Sequence, residues 1–273
     1  MRHKPLIKLT FILIIMLAFT GCSKIEELKI EYGYKNTDFE FLKNEDLKTI
    51  IIQSTRDKGF RFVVRDQSTI YELYESLSTA KVMDEVISYN SDYIFEFHNL
   101  DGEVFYYEYV AGVSEEEKAN FYSEGNSYLV TDRIDNNLIQ NLYSIRKPKY
   151  FEDIYYDSLV DLVKMIKEEY VDMSIGIKVY EDLPVLKYQL SKDLEEFKNK
   201  LKNEGAVLLE EGETADLVLD VKTSGFTTIT YKAVINLVES ANYGEKKYYI
   251  LGTYANDVTK WETIIGPEVP DEF

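Results

Sequence analysis

Hydrophobic and polar residues alternate along much of this chain, and strict alternation predicts half-buried β-strands. In the first half the predicted strands are Leu28–Tyr34, Lys48–Gln53, Phe60–Arg65, Tyr93–His98, Val104–Val110 and Tyr128–Thr131. In the second half they are Ser174–Tyr180, Ala206–Leu209, Leu217–Lys222, Thr227–Val238 and Lys247–Tyr254. Short polar segments, such as Thr223-Ser224-Gly225, are expected to be the turns of hairpins, and hairpins give antiparallel sheets.

The clearest hairpin lies at positions 93–110, where aromatic residues occupy alternate positions of both strands. A two-residue Asp101-Gly102 turn would place Phe95 opposite Glu108 and mix the two faces. A three-residue Leu100-Asp101-Gly102 loop, with its glycine in a left-handed conformation, places Phe95 opposite Tyr107. Because the register follows the buried face, we predict the three-residue loop.

A hydrophobic period of 3.6 residues predicts four helices between the strands. They are expected to begin at Asp66 or Thr69, at Asp135, at Glu152 and at Ser191. Asp135 and Ser191 are residue types that cap the first free N–H groups of a helix. The helix from Glu152 is expected to end near Tyr170, and Gly205 is a natural left-handed stop for the last helix.

Strands and helices together predict an α+β fold of two small domains. Each domain is expected to be a mostly antiparallel sheet with one or two helices packed on one face. The charged, proline-containing stretch Arg146-Lys147-Pro148-Lys149 is the favoured joint. The predicted division is therefore a signal peptide at 1–21, an N-terminal domain at 22–147 and a C-terminal domain at 148–273.

The N-terminus has the three parts of a secretory signal: a basic start, an apolar run too short to span a bilayer, and a small residue before the cleavage site. Cys22, the single cysteine of the 273 residues, follows it. The stretch Leu17-Ala18-Phe19-Thr20-Gly21-Cys22 resembles the lipobox of bacterial lipoprotein precursors. That resemblance implies cleavage before Cys22, a diacylglyceryl group on its thiol, and anchoring to the outer face of the cell membrane.

The alternative for Cys22 is a free thiol beside an ordinary cleavable signal. A lone cysteine in an exported protein favours lipidation, because oxidising compartments favour even numbers of paired cysteines. The segment of some thirty residues from the helix at Ser191 through Gly205 to Val221 also resembles small βαββ modules of bacterial envelope lipoproteins, but it carries no functional motif. The 23 tyrosines are better explained by the codon bias of a low-GC Gram-positive source than by a stacking surface.

Charge limits the class of partner. The net charge is −18 and the isoelectric point is about 4.6, so the surface should repel nucleic acid, and we predict no nucleic-acid partner. The membrane is expected to be reached through the lipid on Cys22. Hydrophobic residues make up 45% of the chain, which is enough for a packed core.

Candidate catalytic residues are few. After the signal, His98 is the only histidine, which argues against zinc sites and Cys–His nucleophiles. We expect His98 at the hairpin tip, opposite Val104 and in solvent. The stretch 132–136 lacks the alternating ligands of an EF-hand, and Trp261 is expected in the core. We therefore predict no catalytic residue, no cofactor and no metal site.

These observations favour a lipid-anchored, non-catalytic envelope lipoprotein that binds or scaffolds an unknown envelope protein or ligand. One alternative is a carboxylate-based cell-wall hydrolase, because glycoside hydrolysis needs only two acids and the chain has 49. Another is the solute-binding lipoprotein of an importer. Such receptors are built from alternating strands and helices around parallel sheets, which the predicted hairpins do not resemble.

Overall fold

The computed structural model describes residues 29–30, 32, 34–43, 47–131, 134, 139, 147–240 and 244–273. The strands form two sheets, one of seven strands in the first half and one of six in the second. Each sheet packs with helices around its own hydrophobic core. The predicted α+β fold with two mostly antiparallel sheets is confirmed. Among the described residues no helix is long and apolar enough to cross a membrane.

The first sheet has the strand order β2-β1-β4-β5-β6-β7-β3, and its neighbours are antiparallel. Its strands are β1 (Leu47–Ser54), β2 (Arg61–Val64), β3 (Lys81–Val82), β4 (Tyr93–Asn99), β5 (Val104–Tyr109), β6 (Phe121–Ser123) and β7 (Asn126–Leu129). Helix α1 (Gln67–Ser78) packs on this sheet. The carboxylate of Asp66 accepts a hydrogen bond from Thr69 N–H at 2.9 Å, so Asp66 rather than Thr69 caps α1.

The predicted hairpin register is confirmed. Phe95 pairs with Tyr107 across β4 and β5, and Phe95 is fully buried. The N–H of Asn99 donates to the carbonyl of Glu103 at 3.1 Å and closes the three-residue loop. Gly102 has a φ of +88°, the left-handed conformation that the loop requires. Five of the six aromatic residues on that face are buried in the core, whereas Phe105, near the loop, is 40% exposed.

The second sheet has the order β13-β12-β11-β10-β8-β9. Its strands are β8 (Ile175–Lys178), β9 (Ala206–Leu208), β10 (Leu217–Phe226), β11 (Thr230–Glu239), β12 (Glu245–Ala255) and β13 (Lys260–Gly266). Strands β10 to β13 form an antiparallel meander, whereas β8 is parallel to both β10 and β9. Strand β9 therefore lies at one edge of the sheet and β13 at the other.

Two helices cover the second sheet. The long predicted helix begins with a π-helical segment, Asp153–Asp157, and continues as α2 (Ser158–Glu169). Helix α3 (Ser191–Asn203) ends before Gly205, whose φ of +68° confirms the predicted left-handed stop. Both helices bury their apolar sides against the inner face of the sheet.

Two of the predicted elements are wrong. Lys29 and Ile30 are helical rather than extended, because the N–H of Tyr34 bonds locally to the carbonyl of Lys29 at 2.7 Å. The segment Thr223-Ser224-Gly225 is not a turn: a bulge there lets β10 continue to Phe226.

Other differences concern the extent of elements. The last strand predicted in the first half ends at Leu129 rather than Thr131. Strands β3, β6 and β13 were not predicted. Strands β3 and β6 have only two and three residues, which is too few to show an alternating pattern. Trp261 lies in β13 and is 7% exposed, which confirms its expected place in the core. The helix predicted from Asp135 lies outside the described residues, apart from the buried Ile139.

Candidate functional site

A buried aspartate of the first half bonds to the second half. Asp92 directly precedes β4 and is 2% exposed. Its Oδ1 accepts hydrogen bonds from Arg56 Nη1 at 2.6 Å and from the backbone N–H of Ser191 at 2.8 Å. Its Oδ2 accepts from the N–H of Ala111 at 2.9 Å. Because Ser191 is the first residue of α3, this carboxylate spans the junction between the two halves.

The predicted capping role of Ser191 is therefore wrong. The residue before α3, Leu190, makes no side-chain cap bond. Asp92 instead accepts from a free N–H at the start of α3, where the helix dipole favours negative charge. The Ser191 hydroxyl donates to the carbonyl of Asn90 at 2.6 Å and accepts from Arg56 Nη2. A helix of the second half is thus capped by the first half.

Burial and ion pairing act on Asp92 in opposite directions. Loss of water raises the pKa of the Asp92 carboxyl above its ordinary value, while the Arg56 guanidinium and two backbone N–H groups lower it. Arginine suits this position because its planar guanidinium presents several donors at fixed angles. The Arg56 side chain is 19% exposed, so part of it still reaches the surface.

Three adjoining cavities surround this contact, and we call them together the junction groove. The first has a volume of about 430 Å³ and is lined by residues of both halves. The second, of about 400 Å³, shares a wall with the first, formed by Arg56, Tyr89 and Asn90. The third, of about 620 Å³, runs along β9 and shares Lys198, Leu208, Leu209 and Glu210 with the first. The groove therefore extends from the first sheet to the outer edge of the second.

Acidic side chains outnumber basic ones on the walls of the junction groove once Arg56, which is paired with Asp92, is set aside. In the first and third cavities the acids are Glu195, Glu210, Glu211 and Glu213. Two lysines, Lys198 and Lys202, share these walls, and Lys198 lies 3.8 Å from Glu195. Arg56 is already matched by Asp92. The groove is therefore net negative, with apolar surface from leucines of α3 and β9 between the charges.

Two buried polar atoms near this contact have no hydrogen-bond partner among the described residues: Tyr156 OH and Asp193 Oδ2. Asp193 is in the first turn of α3. Burial and the nearby Glu152 carboxylate, opposed by Lys147, raise the pKa of Asp193 to about 7. Neither atom belongs to a residue lining the junction groove. Asp193 therefore titrates near neutral pH inside the helix that Asp92 caps.

The other residues that the sequence singled out do not join this site. Cys22 and the stretch 132–136 lie outside the described residues, apart from the buried Ile134. His98 pairs with Val104 as predicted, is 30% exposed, and has its Nε2 2.9 Å from Glu96 Oε2. Within the described part of the chain, no group of three or more histidine, cysteine, aspartate or glutamate side chains is placed to hold a metal ion.

Sequence reasoning missed Arg56 and Asp92 as interacting residues. One signal was present: only six of the 31 basic residues are arginines, in a chain that otherwise uses lysine. Arginine is the residue best suited to partly buried ion pairs, so each arginine was a candidate. Nothing local distinguishes Asp92, because Ser88-Tyr89-Asn90-Ser91-Asp92 has the composition of an ordinary polar loop.

Comparison with known proteins gives one match. A family model described as YhfM protein matches residues 43–148, which is less than half of the chain. The matched segment contains Arg56, Asn90 and Asp92 but none of the second sheet. No curated protein and no solved structure matches this chain. The match ends at Pro148, and the boundary between 147 and 148 stays a prediction.

Proposed function

We propose that this protein is a lipid-anchored, non-catalytic envelope protein whose junction groove binds an elongated ligand, such as a segment of another envelope component. One observation carries the proposal: three adjoining cavities run from one half to the other past Arg56, which is held in place by the buried Asp92. A wall fixed before the ligand arrives loses little entropy on binding.

The polar groups at the centre of the groove favour binding over catalysis. Arg56, the Ser191 hydroxyl and the Asn90 carbonyl already bond to one another or to Asp92, so they hold the shape of the groove. The glutamates and leucines along the walls are left to contact a ligand. A long groove lined in this way suits a chain-like ligand that makes many modest contacts.

A variant with a blocked groove tests this proposal. Asn90 is exposed between the first two cavities, so Asn90→Trp should fill the groove without disturbing a core. Asn126→Trp, at an exposed position outside the groove, is the matched control. Lipidated wild type and Asn126→Trp should retain a cross-linked envelope component that Asn90→Trp loses. Equal retention by all three proteins would contradict the proposal.

The proposed anchor is the lipid on Cys22, which places the protein on the outer face of the cell membrane. Each buried methylene contributes roughly 0.8 kcal/mol, and two acyl chains together hold a protein stably. Detergent phase partition of wild type and Cys22→Ala tests this. Wild type should enter the detergent phase and the variant the aqueous phase, and identical distribution of both proteins would rule out the anchor.

A second candidate function is the solute-binding receptor of an importer, which is favoured by the cavity of about 430 Å³ between the halves. A receptor would bind one small solute with a stoichiometry of one, independent of the third cavity. The hydrolase alternative has three glutamates in that first cavity: Glu195, Glu210 and Glu211. It requires turnover of a wall substrate that a single Glu→Gln substitution among these residues abolishes.

A further inference from the structure

The outer edge of β9 faces no other strand in the described part of the chain. Strand β9 pairs with β8, in parallel, with Ala206 opposite Ile175 and Leu208 opposite Ile177. The N–H of Leu209 donates to the carbonyl of Ile177 at 2.8 Å. Backbone groups of successive strand residues point to opposite edges, so Ala206 and Leu208 direct theirs away from β8. An edge of this kind is a template for another strand.

The space beside this edge is open at Val207 and Leu208 but closed at Ala206, which is 3% exposed. The third cavity of the junction groove, of about 620 Å³, is lined by all three residues of β9. Val207 is 52% exposed. Helix α3 forms one wall through Lys198 and Lys202, and the loop after β9 forms the other through Glu210 and Glu213. An extended segment could therefore lie along β9 and continue into the first cavity.

Charge indicates the chemistry of that segment. Four glutamates line the first and third cavities against two lysines, and the whole chain has a net charge of −18. The two lysines and two glutamates of the third cavity balance, and the excess of acids lies in the first cavity. A basic segment would be attracted at long range and where it enters the first cavity, whereas an acidic one would be repelled. The neighbouring residues Val207 and Leu208 offer apolar contacts on opposite faces of the strand.

We infer that the ligand of the junction groove is an extended, lysine-bearing peptide segment that adds to β9 as a further strand. Main-chain hydrogen bonds to the N–H and carbonyl of Leu208 would supply affinity, and the glutamates would select positive charge. This inference rests on the proposed function and narrows it from an elongated ligand to a polypeptide recognised through its backbone.

The probe is the capped octapeptide (Val-Lys)4, with (Val-Glu)4 as the control of opposite charge, both titrated against the full chain. We expect (Val-Lys)4 to bind at least tenfold more tightly. On binding, amide exchange of Leu208 should slow at least tenfold, while that of Val207, whose N–H faces β8, should change little. Equal affinity for both peptides, or unchanged exchange at Leu208, would overturn the inference.

Backbone methylation of the probe tests strand addition directly. One peptide carries N-methyl groups on its valines and another on its lysines, and only one of the two sets can face β9. The peptide whose methylated residues face β9 should lose at least tenfold in affinity, because its N–H donors on that side are gone. The other methylated peptide should stay within about threefold of the unmodified affinity. Loss by both or by neither would contradict pairing with the edge.

Variants of the protein separate this inference from the proposed function. Glu210→Lys with Glu213→Lys should weaken (Val-Lys)4 at least fivefold, whereas Glu268→Lys, outside the groove, should not. If (Val-Lys)4 fails to bind but Asn90→Trp still loses an envelope component, the peptide inference is wrong and the groove function stands. If the peptide binds at β9 but no component depends on the groove, the proposed function is wrong.

Discussion

Two buried aspartates, one in each half of this molecule, have different structural roles. Asp182 lies in the core of the second half, is 1% exposed, and accepts from Tyr155 OH, Thr223 Oγ1 and the N–H of Thr223 at 2.7–2.9 Å. All its donors are neutral and belong to the same half. Asp92 is as deeply buried, but its donors include a guanidinium and come from both halves.

The difference shows how a buried carboxylate can stabilise a core or couple two cores. Neutral hydrogen bonds around Asp182 satisfy polar groups that the second core has enclosed, including the hydroxyl of Tyr155. The ion pair of Asp92 satisfies Arg56 and caps α3 at the same time, so its loss should affect the contact between halves. The predictions below separate these two roles, from the largest expected effect to the smallest.

Asp92→Ala should cause the largest change. It leaves Arg56 without its counter-ion in a largely buried position and leaves the first N–H of α3 unsatisfied, which should lower the free energy of unfolding by about 3–5 kcal/mol. Urea unfolding, followed by tryptophan fluorescence for the second half and by hydrogen exchange for the first, should show two separate transitions in the variant.

Phe95→Ala is the control for that experiment. Phe95 is fully buried in the first core, so its truncation should lower the free energy of unfolding by a similar amount, about 3–5 kcal/mol. This variant keeps the Asp92 contacts, and both halves should respond to the two probes as they do in wild type. Identical unfolding patterns for Asp92→Ala and Phe95→Ala would contradict a coupling role for Asp92.

Asp193 should make stability depend on pH. Its pKa is about 7 in the folded chain against an ordinary value of 3.8, so the folded state holds an extra proton between these values. Stability from this group is therefore highest at low pH and falls by about 2–4 kcal/mol as the pH rises from 4 to 7. Glu152, Glu196 and Asp92 add to the raised pKa, and Lys147 opposes it.

The comparison of wild type with Asp193→Asn isolates that effect from the other acids. The difference in free energy of unfolding between the two proteins should change steadily from pH 4 to pH 7 and stay constant above. Urea titrations at one-unit intervals measure it. A difference that does not vary with pH would show that Asp193 is ionised throughout the range.

Asp182→Ala should lower the free energy of unfolding by about 1–3 kcal/mol, which is less than for Asp92→Ala. The reason is that it leaves neutral donors, rather than a charged group, without a partner. Unfolding should remain a single transition for both probes, since no bond between the halves is lost. Appearance of two transitions in this variant would remove the distinction between the two aspartates.

An exposed aspartate provides the baseline. Asp101 lies at the tip of the β4–β5 loop and is exposed, so Asp101→Ala should change the free energy of unfolding by less than about 0.5 kcal/mol. Gly102→Ala, at the neighbouring left-handed position, should cost about 1–2 kcal/mol. A cost for Asp101→Ala equal to that for Gly102→Ala would show that the loop bonds are misassigned.

Local pattern predicted much of the fold and little of the candidate site. The strands, the Asp66 cap and the stop at Gly205 depend on residues within a few positions of one another, where propensity and geometry are readable. The roles of Arg56 and Asp92 depend on contacts across the two halves, and the edge of β9 depends on which strands pair in the second sheet. No pattern in a single sequence states which polar loop will meet which helix.

By itself the sequence determined the aromatic register of β4 and β5, because only one loop length places Phe95 and Tyr107 on the same buried face. It did not determine what Ser191 does. A serine at a helix start can accept a hydrogen bond from an N–H two or three residues later. The Ser191 hydroxyl instead donates to the carbonyl of Asn90, and the N–H of Ser191 donates to Asp92, 99 residues earlier in the chain. The role of Ser191 was set by the packing of the two halves, because a carboxylate removed from water is stable only when nearby donors form hydrogen bonds to it.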